Sequence, residues 1–218
     1  HRASCRNGTK RDNDIAMEGT GSMARNTRIL AALILTYMLF GILLNSVGTV
    51  ILQSIDTLGQ TKSSAAILEA FKDLPIAITS FLVASFLPRL GYRRAMIVGT
   101  GMVALACLAM PLVPTFAMVK LFFAITGIAF ALVKVSVYST IGLITANNAQ
   151  HASMTNLVEG MFMVGVLSGY WIFGAFIDSA NPASLAWVDV YWVLAAMSAA
   201  IVLLLAVTPL DETGAVRV

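Results

Sequence analysis

The sequence predicts an all-α membrane protein, a bundle of six transmembrane helices. Hydrophobic residues make up 58% of the chain and charged residues 11%, whereas a soluble domain carries about 25% charged residues. The apolar residues come in long blocks of about 20, the length of helix that crosses a hydrocarbon core of about 30 Å. Open sheets cannot face lipid, and strands of a barrel would show alternation over about 10 residues instead.

Six apolar blocks follow one another along the chain, and each one predicts a helix. These blocks cover residues 29–53, 65–87, 95–112, 116–144, 154–177 and 185–207. Polar or proline-containing segments separate them, with the longest predicted loops at 53–64, 88–94 and 146–153. We therefore expect a disordered or artefactual polar leader, the bundle itself, and the start of a cytoplasmic tail or central loop, at residues 1–24, 25–210 and 211–218.

The distribution of Lys and Arg predicts the orientation of the bundle. Short cytoplasmic loops carry an excess of these residues. The arginines gather near the two chain ends and in the turn at 88–94: Arg25, Arg28, Arg89, Arg93, Arg94 and Arg217. The amino terminus, that turn and the loop at 146–153 are therefore predicted to be cytoplasmic in a cell membrane. Trp187, Tyr191 and Trp192 are predicted to form an aromatic belt at the outer interface.

Two ionisable side chains lie inside predicted helices, Lys134 in the fourth and Glu159 in the fifth. A charge at a helix centre costs at least about 2.5 kcal/mol and usually faces a cavity or a partner. Both lie about 9 Å to the cytoplasmic side of their helix centres, which suggests an ion pair. Glu159 would take part in proton or substrate coupling, with Lys134 as its counter-charge or as an anion-binding group. The alternative is a structural pair, or snorkelling of both side chains to the interface.

Three further polar side chains at membrane depth are candidates for a substrate and proton pathway, namely Asn45, Asn156 and Tyr138. Tyr138 follows Lys134 by four residues, so the two share one face of a helix. For Asn45, a hydrogen bond between helices is an equal alternative. Small residues allow helices to approach closely, and the glycines that predict such packing are Gly41, Gly48, Gly160, Gly165, Gly169 and Gly174.

The sequence offers no residues on which an enzyme or a metal site would rest. It contains no GxGxxG or GxxxxGKS phosphate loop, no HExxH and no Ser/His/Asp constellation. Cys5 lies in the polar leader and Cys107 in an apolar block, so neither a disulfide nor a metal site is predicted. The net charge of +3 comes from basic residues that flank the apolar blocks, and nucleic acid is not an expected partner.

The turn between the second and third helices carries a recognisable motif. Residues 84–94 read AxFLPRLGYRR, which resembles the cytoplasmic signature loop of the major facilitator superfamily, roughly GxLxDRxGRR. Pro88 stands where that family has Asp, and Ala84 where it has the leading Gly. The matching residues are Arg89, Gly91, Arg93 and Arg94.

The resemblance covers about residues 25–210 and implies one half of a twelve-helix fold, in which two six-helix halves surround a central site. Each half is built as two three-helix repeats. It implies a secondary active transporter that moves a small polar solute, such as a sugar, by alternating access with proton coupling through Glu159. The fifth helix reads GVLSGYWIFG and lacks the GP dipeptide of drug/proton antiporters. The stretch TNLVEGMFMVGVLSG is more similar to fucose-permease-like sugar/proton symporters.

Six helices and a start at His1 rather than Met suggest a fragment, or a half that pairs with a second half or another copy. The expected partners are the lipid bilayer, a small solute and protons, without a cofactor. Two other classes of protein stay open from the sequence. One is a membrane-embedded non-transport subunit of a complex, and the other is a channel-forming oligomer with Asn45 as its polar ring.

Overall fold

The computed structural model describes residues 26–178 and 180–208, and the long elements within these ranges are α-helices. Helix α1 spans Asn26–Leu58. The next five, α2 to α6, span Lys62–Leu90, Tyr92–Leu112, Phe116–Ile144, Asn148–Gly174 and Val190–Val207. A 3-10 turn over Leu185–Asp189 leads into α6. The predicted all-α class is confirmed, while the predicted leader and tail lie outside the described residues.

Five segments are long and apolar enough to cross a membrane: α1, α3, α4, α5 and Leu185–Val207, which contains α6. Helix α4 lies at the centre of the described bundle, where it packs along α2 and α3. Helix α3 also packs along α6. Most side chains of the middle of α4 are buried by these neighbours, because an apolar helix surrounded by others has no face left for lipid or water.

The predicted loop at 53–64 is wrong in length, since only residues 59–61 are non-helical. Helix α1 continues past its apolar block until Gly59, which adopts the left-handed conformation (φ 63°) that favours glycine at a helix end. Helix α2 begins after Thr61, whose hydroxyl caps it by accepting a hydrogen bond from the Ser64 amide at 3.2 Å. The polar residues of this segment therefore cap and extend helices rather than form a long loop.

The predicted loop at 146–153 is also mostly helix. The side chain of Asn147 accepts a hydrogen bond from the Gln150 amide at 2.9 Å, and this cap starts α5 at Asn148. The sequence prediction started this helix at residue 154, because the segment before it is polar. The earlier start moves the midpoint of α5 to residue 161, so Glu159 lies nearer the middle of its helix than predicted.

Within the predicted turn at 88–94 only Gly91 is non-helical. Its φ of 88° ends α2 and separates it from α3. The next turn places Arg93 against the end of α6. Its Nε donates to the Leu205 carbonyl at 2.9 Å, and its Nη2 donates to the Ala206 carbonyl. Carbonyls in the last turn of a helix lack intrahelical partners, and a cation there also complements the helix dipole. Arg93 of the signature loop thus ties the start of α3 to the end of α6.

The predicted aromatic belt is wrong for two of its three members. Trp187 and Tyr191 are 1% and 0% exposed, whereas Trp192 is 46% exposed. The indole nitrogen of Trp187 donates to the Thr57 hydroxyl at 3.2 Å, and the Tyr191 ring lies edge-on to Phe122 at 5.0 Å between centroids. These aromatic side chains join α6 and its leading turn to α1 and α4, so they stabilise the bundle instead of facing the interface.

Close packing between α1 and α5 depends on glycines, as the sequence predicts for three of them. Gly41 lies against the carbonyl oxygen of Phe162, and Gly165 against that of Met38; a Cβ on either glycine would collide with backbone. Gly169 lies against Ile42 in the same contact. The prediction is wrong for the three glycines that have open space around them, namely Gly48, Gly160 and Gly174.

Candidate functional site

The most polar contact inside the bundle joins three helices at the carboxylate of Glu159 on α5. The hydroxyl of Tyr138 on α4 donates to Glu159 Oε1. The hydroxyl of Tyr37 on α1 donates to the same oxygen at 3.3 Å, and the two hydroxyls lie 3.5 Å apart. One carboxylate oxygen is therefore shared by tyrosines from two other helices.

Aromatic rings pack around Tyr37, one of the two donors to this carboxylate. The Tyr37 ring, 1% exposed, lies 5.1 Å from Phe162 and 5.9 Å from Phe130 between centroids. Phe130 and Phe162 are themselves 5.9 Å apart. The Tyr138 ring lies edge-on to Tyr37 at 6.2 Å between centroids. This aromatic cluster therefore positions the two hydroxyls and joins α1, α4 and α5 beside the carboxylate.

Sequence reasoning found Glu159 and Tyr138 but missed Tyr37. The signal was present, because Tyr37 is the one tyrosine within the first apolar block. A buried phenol usually needs a hydrogen-bond partner, and a tyrosine at this depth therefore predicts a polar group on a neighbouring helix. What the sequence lacks is the pairing of α1 with α5, which depends on the glycine contacts.

Lys134 does not form the expected ion pair with Glu159. Within the described residues no carboxylate pairs with Lys134, and its Nζ instead lies 5.7 Å from the centre of the Phe130 ring. A cation near an aromatic face gains about 0.5–2 kcal/mol, which is less than the cost of at least about 2.5 kcal/mol for a charge at the centre of a membrane helix. Lys134 is exposed, so water or an anion must supply the difference.

The two charged residues still lie at similar levels of their helices. Glu159 is two residues before the midpoint of α5, and Lys134 is four residues after the midpoint of α4. At a rise of 1.5 Å per residue these offsets are about 3 Å and about 6 Å toward the same side of the bundle. Tyr138, one turn from Lys134 on α4, is the α4 side chain that donates to the carboxylate, and Lys134 does not pair with it.

The two asparagines have different surroundings. Asn45 on α1 donates to the Val166 carbonyl of α5 at 3.3 Å, the helix-to-helix hydrogen bond that was its alternative reading. Asn156 is exposed on α5, three residues before Glu159 and therefore on the same face. Asn156 thus presents a free amide beside the carboxylate, whereas Asn45 holds α1 against α5.

The signature-loop residues form a separate group at the ends of helices. Arg89 lies in the last turn of α2 and Arg94 in the first turn of α3, and both are exposed. Arg93 is bound to α6 as described above. These residues therefore lie at the ends of the helices, while Glu159 and its tyrosines lie near the middle.

Both hydrogen bonds to Glu159 end on Oε1, and Oε2 has no hydrogen-bond partner among the described residues. An ionised carboxylate only accepts hydrogen bonds, whereas a protonated one carries a donor of its own. A proton on Oε1 would require at least one tyrosine hydroxyl to change its hydrogen bonds, whereas a proton on Oε2 would leave both in place. Since the tyrosines lie on α1 and α4, a proton on Oε1 would affect the contacts between three helices.

The long apolar helices are those of a multi-pass membrane protein. Among known protein families, the Major Facilitator Superfamily matches residues 29–217. The chain belongs to this superfamily, whose members are secondary transporters and not enzymes. A search among curated proteins found no match.

Proposed function

We propose that this protein moves a small polar solute, such as a sugar, by alternating access, and that the movement is coupled to protons at Glu159. The observation that carries the proposal is the carboxylate shared by Tyr37 and Tyr138. A carboxylate inside a membrane protein is costly and usually marks an ion or proton pathway. Here a proton on Oε1 would displace a tyrosine hydroxyl and so alter contacts between α1, α4 and α5, the kind of coupling that alternating access requires.

The solute pathway passes the exposed polar groups on the same side of the bundle, Lys134 and Asn156, with Tyr138 between them and the carboxylate. Asn45 borders this pathway from α1. Amide, ammonium and hydroxyl groups replace the water around a polar solute by hydrogen bonding. The likeness of the fifth helix to fucose-permease-like symporters supports a sugar-sized solute and symport with protons.

We further propose that residues 25–210 form two three-helix repeats, α1–α3 and α4–α6. Two equivalent contacts support this division. Gly41 on the first helix of one repeat lies against α5, and Gly127 on the first helix of the other lies against the Lys72 carbonyl of α2. A repeated contact between the first helix of one unit and the second of the other is expected for paired repeats. A second six-helix half, or another copy, completes the central site.

The proposed orientation has six crossings, with the amino terminus, Gly91 and residues 145–147 in the cytoplasm. This orientation includes α2 as a crossing helix. Its 29 residues exceed the length of about 20 that spans the hydrocarbon core. The arginines near Gly91 lie on the side where Lys and Arg accumulate.

Cysteine labelling tests this orientation. In a variant lacking Cys5 and Cys107, we expect Lys62→Cys to react with an impermeant maleimide in intact cells and Ala149→Cys to react only after permeabilisation. Both positions are exposed at the starts of helices. Three helices separate them, so reaction of both from one side would mean that α2 does not cross, and the six-helix arrangement would be wrong.

Proton-driven uptake tests the function itself. We expect proteoliposomes holding the protein to concentrate a sugar-sized solute when the outside is made acidic relative to the lumen. A proton ionophore should remove this accumulation, while equilibration of the solute across the membrane continues. Accumulation that is unchanged by the ionophore would contradict proton coupling, and vesicles as impermeable as protein-free ones would contradict transport.

A further inference from the structure

Lys134 carries an exposed side chain in the middle of α4. All of residues 122–141 are described, and Lys134 is the only exposed residue among them. The neighbouring side chains of Val133 and Val137 are 0% exposed. The ammonium of Lys134 is therefore accessible on a stretch of α4 whose other side chains are buried or half-buried.

No described carboxylate neutralises this ammonium. Glu159, the carboxylate nearest to it in level, accepts two tyrosine hydroxyls on Oε1, and no ion pair joins it to Lys134. The Phe130 ring below Nζ attracts a cation through its electron-rich face but carries no negative charge. An ammonium has three donors and no acceptor, so it remains able to bind an incoming anion.

We propose that Lys134 binds a carboxylate of the transported solute, and that this solute is a sugar acid and not a neutral sugar. This inference rests on the proposed transport function and names its substrate class. The exposed amide of Asn156, one turn before Glu159, supplies a donor and an acceptor for solute hydroxyls. The compact ammonium of a lysine suits a single carboxylate, which does not need the bidentate geometry of arginine.

The charges in the site are balanced when a proton and the solute bind together. An ionised Glu159 repels an incoming carboxylate, whereas a protonated Glu159 is neutral. The ammonium of Lys134 then faces only the carboxylate of the solute. One anion and one proton cross together, so that this step moves no net charge across the membrane.

Ligand-induced stabilisation of the purified protein tests the proposal. Nanodiscs of phosphatidylcholine alone exclude anionic lipid headgroups as the source of the anion. The probes are matched pairs that differ in a carboxylate: D-glucuronate and D-glucose, D-galacturonate and D-galactose, D-gluconate and D-sorbitol, D-galactonate and galactitol. We expect at least one acid to raise the melting temperature, while its neutral partner does not.

Two lysine variants connect this binding to the site. Lys134→Gln should weaken binding of the acid by about 10- to 100-fold, the range for loss of a hydrogen bond to a charged group. Lys120→Gln is the matched control, because Lys120 also lies on α4 and over phenylalanine rings, at 5.1 Å from Phe116 and 5.7 Å from Phe71. Binding of the acid to the Lys120→Gln protein should be unchanged. Both variants should melt cooperatively without ligand.

Three outcomes would overturn the proposal: binding of neutral sugars alone, equal binding of acids to wild type and Lys134→Gln, or no stabilisation by either member of any pair. The uptake experiment distinguishes failure of the Lys134 proposal from failure of the proposed transport function. Proton-driven accumulation of a neutral sugar would refute the carboxylate at Lys134 and leave transport intact. Acids that bind through Lys134 but are never accumulated would refute transport and leave the site intact.

Discussion

Replacement of Glu159 by Gln is expected to abolish proton-driven accumulation while exchange of solute across the membrane continues. The amide keeps the size of the side chain but cannot take up a proton, so the hydrogen bonds of Tyr37 and Tyr138 no longer respond to the proton gradient. A coupling free energy in the usual range corresponds to about a 5- to 150-fold effect. We expect the initial rate of gradient-driven uptake in proteoliposomes to fall toward the upper end of this range.

The matched control is Glu69→Gln, the same change on an exposed carboxylate of α2 that takes no part in the tyrosine network. Its uptake should equal that of the wild type. Solute counterflow, measured without a proton gradient, separates loss of coupling from loss of transport. A Glu159→Gln protein that still accumulates solute under a gradient would remove this carboxylate from the mechanism.

Replacement of Gly165 by Ala is expected to have the largest effect on stability. A Cβ at this position collides with the carbonyl oxygen of Met38, and backbone cannot move aside as a flexible side chain does. Overpacking of this kind costs about 1–3 kcal/mol. Melting in detergent should occur at a lower temperature, and uptake should fall because α1 carries Tyr37 away from Glu159.

Gly160→Ala is the matched control on the same helix. A Cβ at Gly160 meets nothing within 4 Å, and alanine is favoured over glycine in a helix by about 1 kcal/mol. This variant should melt at or slightly above the temperature of the wild type. If both alanine variants melt at the same temperature, the close contact of α1 with α5 does not limit stability.

The existence of each helix was predictable from its apolar block. The residues at which helices begin and end were predictable only where a polar or proline-containing segment bounds the block. The fourth helix was predicted at 116–144 and is found at Phe116–Ile144, because a proline-containing segment and a polar segment bound its apolar block. The starts of α2 and α5 were misplaced because Thr61 and Asn147 act as caps. A capping side chain and a loop side chain have the same polarity, so composition cannot distinguish them.

The candidate site was predictable in its residues and not in its contacts. Glu159 and Lys134 are conspicuous in sequence because each interrupts an apolar block, and their similar level follows from helix geometry. The expected ion pair was wrong, and the side chains that reach the carboxylate are Tyr138 and Tyr37. Tyr37 is 122 positions from Glu159 along the chain, so only the packing of α1 on α5 brings the two together.

The sequence by itself determined the class of protein, because the length and apolarity of its blocks leave a helical membrane bundle as the architecture that satisfies the backbone in lipid. It also singled out the ionisable residues, since their burial in such a bundle is costly wherever they lie. Only the tertiary structure decided which donors reach the carboxylate and that Lys134 lacks a carboxylate partner among the described residues. Hydrogen bonds depend on angles and on differences in distance of a few tenths of an ångström. The glycine contacts that set those distances arise between helices far apart in sequence.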